Sequence, residues 1–462
     1  MTDTSSSALL ALAAAVALSL APTTITAQQT EVSVAPTQSG AIALSLGEAA
    51  RLAARQSAIA QNARLRVDEA EARVRQRRAD LLPNLNAFVQ QAGRTFNTAT
   101  LGIEFPHAPG VPPVFDPEGE VLGPVNTLDF RGHVQQNLLD MSAVGRVRQA
   151  QAQVRSSGAD ADNVAEQAAT IASNAYVLAM RADADLRARQ ADTLRATELL
   201  HIAESQLQAG TGVGLDATRA RAQLASTRAA LIASRNARGH AHLDLVRALA
   251  LPIGTEVSLT DSLSPTPITE MLDEPTLIAQ ALRKRPDLLA EEERIHAAKQ
   301  GVSAIKAERL PSLGLVADDG VIGKNGANML NTYTWGLQVS LPIFDGFRRE
   351  ARVQEQQALV REAEIRRHDL EQQAQADVRG ALLDLAAARE QLGAASERLQ
   401  LAEQELSQAR DRFRAGVASN ADVVNASLAL TLSQTFLNDA EASYQLARVS
   451  LAKATGSVTS LR

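Results

Sequence analysis

The stretch Val378–Phe413, VRGALLDLAAAREQLGAASERLQLAEQELSQARDRF, places one large apolar residue and one small residue in every seven positions. The large residues are Val378, Leu385, Leu392, Leu399, Leu406 and Phe413, and the small ones are Ala381, Ala388, Ala395, Ala402 and Ala409. A seven-residue repeat lies along one side of an α-helix and forms a seam against a partner helix, with left-handed supercoiling. The stretch therefore predicts one arm of a long helical pair.

The second arm follows after a turn. From Gly346 to Gly416 the chain contains no proline, and a helix of that length would span on the order of 100 Å. The turn is Gly416-Val417-Ala418-Ser419, and the seam then returns. Its large members are Val423, Leu430, Leu437, Tyr444 and Leu451, and its small members are Ala426, Ser433, Ala440, Ala447 and Ala454. The two arms predict an antiparallel helix hairpin.

The first half of the chain carries a weaker copy of this hairpin. Its rising arm has Leu186, Leu200 and Leu207 with Ala182, Ala196 and Ala203, and its falling arm has Leu224, Leu231 and Leu245 with Ala220, Ala241 and Ala248. The turn between the arms is Gly210-Thr211-Gly212-Val213-Gly214. Arg189, Thr193 and Arg238 interrupt the seam. They indicate either a face in contact with water or a helix that has rotated about its axis.

A short motif precedes each hairpin and contains a proline. Arg78-Ala79-Asp80-Leu81-Leu82-Pro83-Asn84-Leu85 is echoed by Lys306-Ala307-Glu308-Arg309-Leu310-Pro311-Ser312-Leu313. Each proline predicts a helix end, and apolar and polar residues alternate after it, most clearly from Tyr333 to Ile343. Each half is therefore predicted to hold a β-hairpin with one apolar face. Such alternation suits strands in a membrane and equally a small sheet packed on a helix.

These repeats divide the chain. The connection between the first two strands, from about Phe96 to Val125, is predicted to be a long proline-rich loop, and the second, from about Val321 to Thr332, a shorter one. An apolar run followed by small residues predicts a signal peptide. The predicted plan begins with a signal peptide at 1–27 and a first repeat at 28–250, which has strands in about 83–139 and a helix hairpin at 141–250. A linker at 251–274 leads to a second repeat at 275–456, which has strands in about 311–345 and a helix hairpin at 346–455. A tail follows at 457–462.

Composition argues against several classes of function. The formal net charge is −6, and arginines are interleaved with acidic residues, so the chain offers no basic surface for nucleic acid. It has no cysteine, and therefore no thiolate metal site or cysteine nucleophile. His240 and His242 are two positions apart and point in different directions on a helix. The sequence predicts neither an enzyme nor a metal or cofactor site.

Two carboxylates stand at the start of the falling arms. Asp216 and Asp422 follow the two glycine turns at the same spacing. A carboxylate at the start of a helix accepts hydrogen bonds from free backbone N–H groups and is favoured by the helix dipole. Both residues are therefore predicted to cap the falling helices.

Two segments resemble signature segments of the TolC family of outer-membrane efflux proteins. They are Val339-Ser340-Leu341-Pro342-Ile343-Phe344-Asp345-Gly346 and Phe413-Arg414-Ala415-Gly416-Val417-Ala418-Ser419-Asn420-Ala421-Asp422-Val423-Val424. The resemblance spans about residues 45–456 and includes the duplication. It implies a mainly α fold with a β-barrel part, in which three subunits each add four strands to one 12-stranded membrane barrel and their coiled-coil helix hairpins to a periplasmic tunnel.

The resemblance also implies partners and sites. A homotrimer would be surrounded by outer-membrane lipid and would meet a periplasmic adaptor protein and an inner-membrane transporter. The adaptor would contact the hairpin tips, which are Gly210, Thr211, Gly212, Val213, Gly214, Gly416, Val417, Ala418 and Ser419. Asp216, Asp422 and Asn425 are the candidates for a constriction of the tunnel. Asn425 stands where some members have an acid, and Phe347 where a second glycine is common.

The resemblance favours a passive channel that conducts small molecules out of the cell, with energy supplied by a partner pump. The alternative is a secreted or periplasmic structural coiled-coil protein without channel activity, because heptad repeats are sufficient to form such a protein. That alternative does not explain two β-hairpins at equivalent places in the two halves. The cargo, whether a drug, a metal or a polypeptide, cannot be read from the residues.

Overall fold

The computed structural model describes residues 42–101, 110, 119–264, 273–324, 326–415, 417 and 419–461. The predicted signal peptide and most of the proline-rich loop lie outside these residues. The first half holds β1 (Ile42–Leu44), α1 (Leu46–Gln56), α2 (Ala58–Ala79), β2 (Asn84–Asn97), β3 (Val121–Leu139), α3 (Met141–Gln208) and α4 (Gly214–Ala248). The second half holds β4 (Val257–Leu259), α5 (Glu274–Lys284), α6 (Pro286–Ala307), β5 (Ser312–Lys324), β6 (Ala327–Ser340), α7 (Arg348–Arg414) and α8 (Asn420–Ala454).

Two antiparallel helix pairs, α3 with α4 and α7 with α8, form most of the described structure. α3 has 68 residues and α7 has 67, so each is roughly 100 Å long. α4 and α8 have 35 residues each, so each covers about half of its long partner. α6 packs along the N-terminal part of α3, where a Cβ added to Gly145 would lie 2.8 Å from Ala304. Glycine is required there because the two backbones touch.

Burial confirms the seam of the second hairpin. The buried seam residues of α7 are Val378, Ala381, Leu385, Ala388, Ala395, Ala402, Leu406 and Phe413, and those of α8 are Val423, Ala426, Leu430, Ser433, Ala440, Tyr444, Ala447, Leu451 and Ala454. Near the turn, Phe413 packs with Val423 and Leu430. Farther along, Leu385 and Ala388 pack with Tyr444. Small residues beside large ones let the two helix axes lie close together.

The seam of the first hairpin matches its prediction only in part: Ala196, Ala203, Ala220, Leu224 and Leu245 are buried as predicted. Leu199, and not Leu200, is buried, and Leu207 is exposed. The reason is that α3 has two partners: Leu199 packs on Leu406 and Phe413 of the second hairpin, while other residues of α3 face α4. One seven-residue seam cannot face both partners, so the helix is rotated relative to the predicted heptad.

The four long strands form one antiparallel sheet in the order β2-β3-β5-β6. The register pairs Leu85 with Val134 and Leu315 with Leu337, so that apolar side chains of neighbouring strands share one face. The short strands β1 and β4 form a separate pair. The fold is therefore mainly helical with an antiparallel sheet, as the sequence predicted at this coarser level.

The predicted loops between the strands were too long. β5 extends to Lys324 and β6 begins at Ala327, so nearly all of the loop predicted at about 321–332 is strand. Glycines in this segment suggested a loop, but a Cβ added to Gly323 would lie only 2.5 Å from the Ala327 carbonyl oxygen. Gly323 thus permits close pairing of two strands. In the first connection, Phe96 and Val125 also lie within strands.

The sheet is not packed on a helix. In the part of the chain that the structure describes, the four strands make their main contacts with one another, and no helix covers either face. The alternative of a small sheet packed on a helix is therefore wrong. None of the described helices is long and apolar enough to cross a membrane.

The connections from the sheet into the long helices are similar in the two halves. Asp140 caps α3 by accepting hydrogen bonds from the backbone N–H groups of Ser142 and Ala143, at 2.9 and 3.0 Å. Asp345 accepts from the backbone N–H and the Nε of Arg349, at 3.2 and 2.8 Å. Phe347 has a φ of 63°, in the left-handed region that disfavours side chains. This backbone conformation explains why glycine suits the position.

Replacing Ala388 with leucine should destabilise the second hairpin, because the extra carbon atoms must enter a seam already filled by Tyr444 and Leu385. Overpacking a buried site typically costs about 1–3 kcal/mol. We expect Ala388→Leu to lower the thermal unfolding midpoint, followed by circular dichroism in detergent. Ala387→Leu, at the exposed neighbouring position, should change it little, and equal midpoints would show that the seam tolerates large residues.

Candidate functional site

The tip of the first hairpin is a tight glycine turn. Gly210 has a φ of 73°, a left-handed conformation that ends a helix without steric strain in glycine. The backbone N–H groups of Thr211 and Gly212 both donate to the Gln206 carbonyl, at 3.0 and 2.9 Å. A Cβ added to Gly212 would lie 2.9 Å from the Gln206 carbonyl carbon. The chain thus folds back onto the end of α3.

Both tips present apolar side chains to solvent. Val213 and Leu215 are exposed on the first tip, and Val417 is exposed on the second. Gly416 and Ala418, which were also predicted to lie at the tip, fall outside the described residues. The Val417 backbone N–H donates to the Arg412 carbonyl at 3.0 Å, and this bond closes the end of α7. The tips are therefore hydrogen-bonded turns with uncovered aliphatic side chains.

The two carboxylates differ in their local role. Asp422 forms a capping box with Ser419, whose backbone N–H and hydroxyl donate to Asp422 Oδ2 at 3.0 and 3.3 Å. This confirms the predicted cap on α8. For Asp216 the prediction is wrong about the capping hydrogen bond, because α4 has no side-chain cap. Its place in the first turn of α4, at the positive end of the helix dipole and 3.9 Å from Arg219, is as predicted. Val213 occupies the cap position and has no polar atom to offer.

Asn420 joins the two tips. Its side chain is fully buried, and its Nδ2 donates to the backbone carbonyl of Asp216 at 2.9 Å. The start of α8 is therefore tied to the start of α4. Sequence reasoning missed this residue because an asparagine after a glycine turn looks like an ordinary turn residue. Asp422 and Asn425 are exposed on the same helix, and Asp216 is partly covered.

Polar side chains link α3 to α8 above the tips. Arg181 pairs with Asp439 at 2.6 Å, and Asn438 Nδ2 donates to Asp185 at 2.7 Å. Arg189 Nη2 donates to the Thr435 hydroxyl at 3.1 Å. The carboxylate of Asp192 is buried and is paired with Arg189 and Arg195. Arg189 interrupts the predicted seam because α3 contacts the second hairpin through polar groups at this level.

A second polar cluster links α3 to α4. Arg238 Nε donates to Asp183 Oδ1 at 2.6 Å, and His242 Nε2 lies 3.1 Å from the same oxygen. Burial by itself would raise the pKa of Asp183, but the hydrogen bonds from His242 and Arg238 outweigh it and hold that pKa below its usual value. Arg238 thus serves an ion pair between helices. Thr193 instead donates its hydroxyl to the Arg189 carbonyl of its own helix, at 2.9 Å.

A comparison with protein families shows to which family the chain belongs. The family described as outer membrane efflux protein matches residues 49–251 and 277–457, which is most of the chain. The chain belongs to this family. Membership confirms the resemblance seen in the sequence and the outer-membrane location. Within the described residues, no group of three or more histidine, aspartate or glutamate side chains is placed to hold a metal ion.

Individual relatives within the outer membrane efflux protein family are distant. The outer membrane efflux protein BepC of Brucella suis is 26% identical over 277 residues, which cover 59% of this chain and 59% of that protein. The alkaline protease secretion protein AprF of Pseudomonas aeruginosa is 25% identical over 322 residues, which cover 67% of this chain and 66% of that protein. The aligned segments thus span less than two thirds of the length of either relative.

The fold is shared over a longer span than the sequence similarity. The crystal structure of the Campylobacter jejuni CmeC outer membrane channel superposes with a TM-score of 0.69 at 19% identity. The match covers 89% of this chain and 85% of the CmeC chain. At this identity the similarity establishes the fold alone, which this chain shares with the CmeC channel.

The Asp183 cluster should make stability depend on pH. Because the pKa of Asp183 is lowered in the folded state, its stabilising contribution is complete above the unfolded-state value of about 3.9 and is lost as the pH falls through the lowered value. The unfolding midpoint of the native protein should exceed that of Asp183→Asn from pH 5 to 7, and this difference should shrink below about pH 4.

The matched control for this prediction is Asp384→Asn, which changes an exposed carboxylate. It should leave the unfolding midpoint close to that of the native protein at every pH. A difference for Asp183→Asn that stays constant down to pH 3 would contradict the assigned role of the carboxylate charge.

Proposed function

We propose that this chain is one subunit of a homotrimeric outer-membrane duct that conducts small molecules outward for a tripartite efflux or secretion system. The observation that carries the proposal is the sheet, which has one apolar face and two unpaired edges and on which no described helix packs. A sheet of this kind is unstable alone in water. It needs lipid against its apolar face and further strands at its edges.

The apolar face has the character of a lipid-facing surface. Tyr333, Trp335, Leu337 and Val339 of β6 alternate with polar residues and are between 60% and 75% exposed. The register places Leu313, Leu315 and Ala317 of β5 beside them. Aromatic residues at the border of an apolar band are typical of membrane-spanning sheets. The apolar band is therefore proposed to lie in the outer-membrane lipid.

The unpaired edges support closure by further copies of the chain. β2 and β6 are the outer strands of the sheet, with 14 residues each, and each leaves one row of backbone groups without a strand partner in the described chain. Lipid cannot hydrogen-bond to such groups. Pairing β6 of one subunit with β2 of the next would satisfy both edges. Three copies would then form the 12-stranded barrel that the family resemblance implies.

The long helices also carry apolar residues that the subunit leaves uncovered. Leu194, Ile232, Leu383 and Leu401 are more than half exposed and lie on α3, α4 and α7. Exposed aliphatic side chains on long helices are available for contact with further copies of the chain. Neighbouring subunits are proposed to cover these residues and to enclose the tunnel. The division into two repeats, 28–250 and 275–456, belongs to this proposal and is supported by the two segments that the family matches.

The hairpin tips are the proposed contact with a periplasmic adaptor, through which an inner-membrane transporter would deliver cargo. The exposed Val213, Leu215 and Val417 support this role, because uncovered aliphatic groups on a rigid turn suit a protein partner. Asp216, Asp422 and Asn425 are proposed to face the tunnel at its narrow end. The names of the relatives, one an efflux protein and one a protease secretion protein, leave the cargo class open.

A matched pair of substitutions tests membrane insertion of the sheet. Leu337 and Gln338 are neighbours on opposite faces of β6, and both are exposed in the single chain. Arginine on a lipid face costs about 2–4 kcal/mol at mid-membrane, so Leu337→Arg should greatly reduce the amount of heat-resistant trimer in outer-membrane detergent extracts. Gln338→Arg should assemble normally.

Two outcomes of this fractionation would contradict the proposal. A native protein found only as a soluble periplasmic species would favour the structural coiled-coil alternative. Equal assembly of Leu337→Arg and Gln338→Arg would show that the apolar face does not meet lipid.

Asp422 can be tested as part of the constriction separately from its capping role. Asp422→Asn removes the charge, whereas Ser419→Ala removes hydrogen bonds of the capping box and keeps the charge. In planar-bilayer recordings, Asp422→Asn should lower the preference for cations over anions, because a negative ring in a narrow passage concentrates cations. Ser419→Ala should retain it. An unchanged preference in Asp422→Asn would remove Asp422 from the constriction.

A further inference from the structure

The second face of the sheet carries a compact group of charges. Asp129, Arg131 and His133 alternate along β3, and Asp318 of β5 lies beside His133 in the register. We call these four residues the inner band. The same register puts Leu128, Phe130 and Val134 on the opposite, apolar face. The band is therefore separated from the lipid-facing side by the strands themselves.

The charged side chains of the inner band contact one another. His133 Nδ1 lies 2.6 Å from Asp318 Oδ1, and Arg131 Nε donates to Asp129 Oδ2 at 3.4 Å. The four side chains are between 16% and 30% exposed, although no described helix covers this face. They shield one another, and enough surface remains open for a passing ion to sense their charge.

A glycine on β5 lets the inner band reach across the sheet. A Cβ added to Gly320 would lie 2.7 Å from the Arg131 Cα, so only glycine fits beside Arg131. Arg131 Nη2 then extends over β5 and donates to the Thr332 hydroxyl of β6 at 3.1 Å. The guanidinium is held by groups on two strands, and its charge has a fixed position.

We propose that the inner band is a second selectivity element of the duct, placed in the sheet and distinct from the tips. This inference rests on the proposed function, since it requires that the polar face line the conducting path. Small ions and charged cargo would be sorted there by fixed charges. In a narrow passage with low-dielectric walls such charges change local ion concentrations strongly.

The inner band carries one more carboxylate than guanidinium, because two aspartates oppose one arginine. The three copies in the proposed trimer would therefore place three excess carboxylates along the conducting path.

The residues directly opposite His133 on β2 and opposite Asp318 on β6 are uncharged. Asn86 of β2 is opposite His133 and is neutral, and Thr334 of β6 is opposite Asp318 and is also neutral. Along β3 the same face continues with Arg131 on one side and Gln135 on the other. The remaining charges on this face are Arg94 and Lys324, which lie nearer the ends of the strands that lead into the turns.

The matched test uses two adjacent aspartates of β5. Asp318→Asn removes a charge from the inner band, and Asp319→Asn removes the same charge from the opposite face. Reversal potentials are measured for the trimer in planar bilayers under a KCl gradient. Asp318→Asn should reduce the cation-to-anion permeability ratio by about twofold or more, and Asp319→Asn should leave it unchanged. Asp318→Glu, which keeps the charge, should restore most of the ratio.

A conducting channel in which Asp318→Asn and Asp319→Asn both match the native ratio would overturn the inner band and leave the proposed duct intact. A native trimer without any conductance would overturn both.

Discussion

The close approach of long helices along alanine-rich seams is the constraint on which the other parts of the structure depend. Aromatic residues are only 3% of the chain. Few large rings are therefore available to separate the helices, which meet through small side chains. Where the seam is regular, as between α7 and α8, burial follows the heptad. Where α3 contacts both α4 and the second hairpin, ion pairs such as Arg181–Asp439 replace apolar contacts. The second hairpin is thus held by packing, and the first also by charge.

The sheet presents two different faces from the same four strands. Its apolar face and its charged face lie on opposite sides of the same strands. Because side chains alternate along a strand, consecutive residues lie on different faces and have different surroundings. Asp318 and Asp319 illustrate this, since neighbouring carboxylates face opposite environments. Unpaired edges on β2 and β6 leave the sheet incomplete in one subunit. Assembly and membrane insertion are therefore coupled in the proposed trimer.

Much of the fold could be predicted because its periodicities are strong. Most seam residues that the heptads of the second half predicted are buried, whereas Leu392, Leu399, Ala409 and Leu437 are only partly buried. The alternation after Pro311 predicted strands. Leu199 was missed because a heptad read from one helix does not show that two partners compete for it. The loop at about 321–332 was predicted too long because glycine marks both turns and close strand pairs. Asn420 could not be found, since its bond to the Asp216 carbonyl joins segments about 200 residues apart.

Each long helix runs without interruption from the sheet to the tip, and this continuity restricts how such a protein can change in length. Deleting a single residue from α7 would turn everything beyond it by about 100° and expose the alanines of its seam. A deletion or insertion of seven residues in both arms would keep the remaining seam in register and alter the span by about 10 Å. Whole heptads, changed together in all the long helices, therefore alter the length with the least disturbance of the seams.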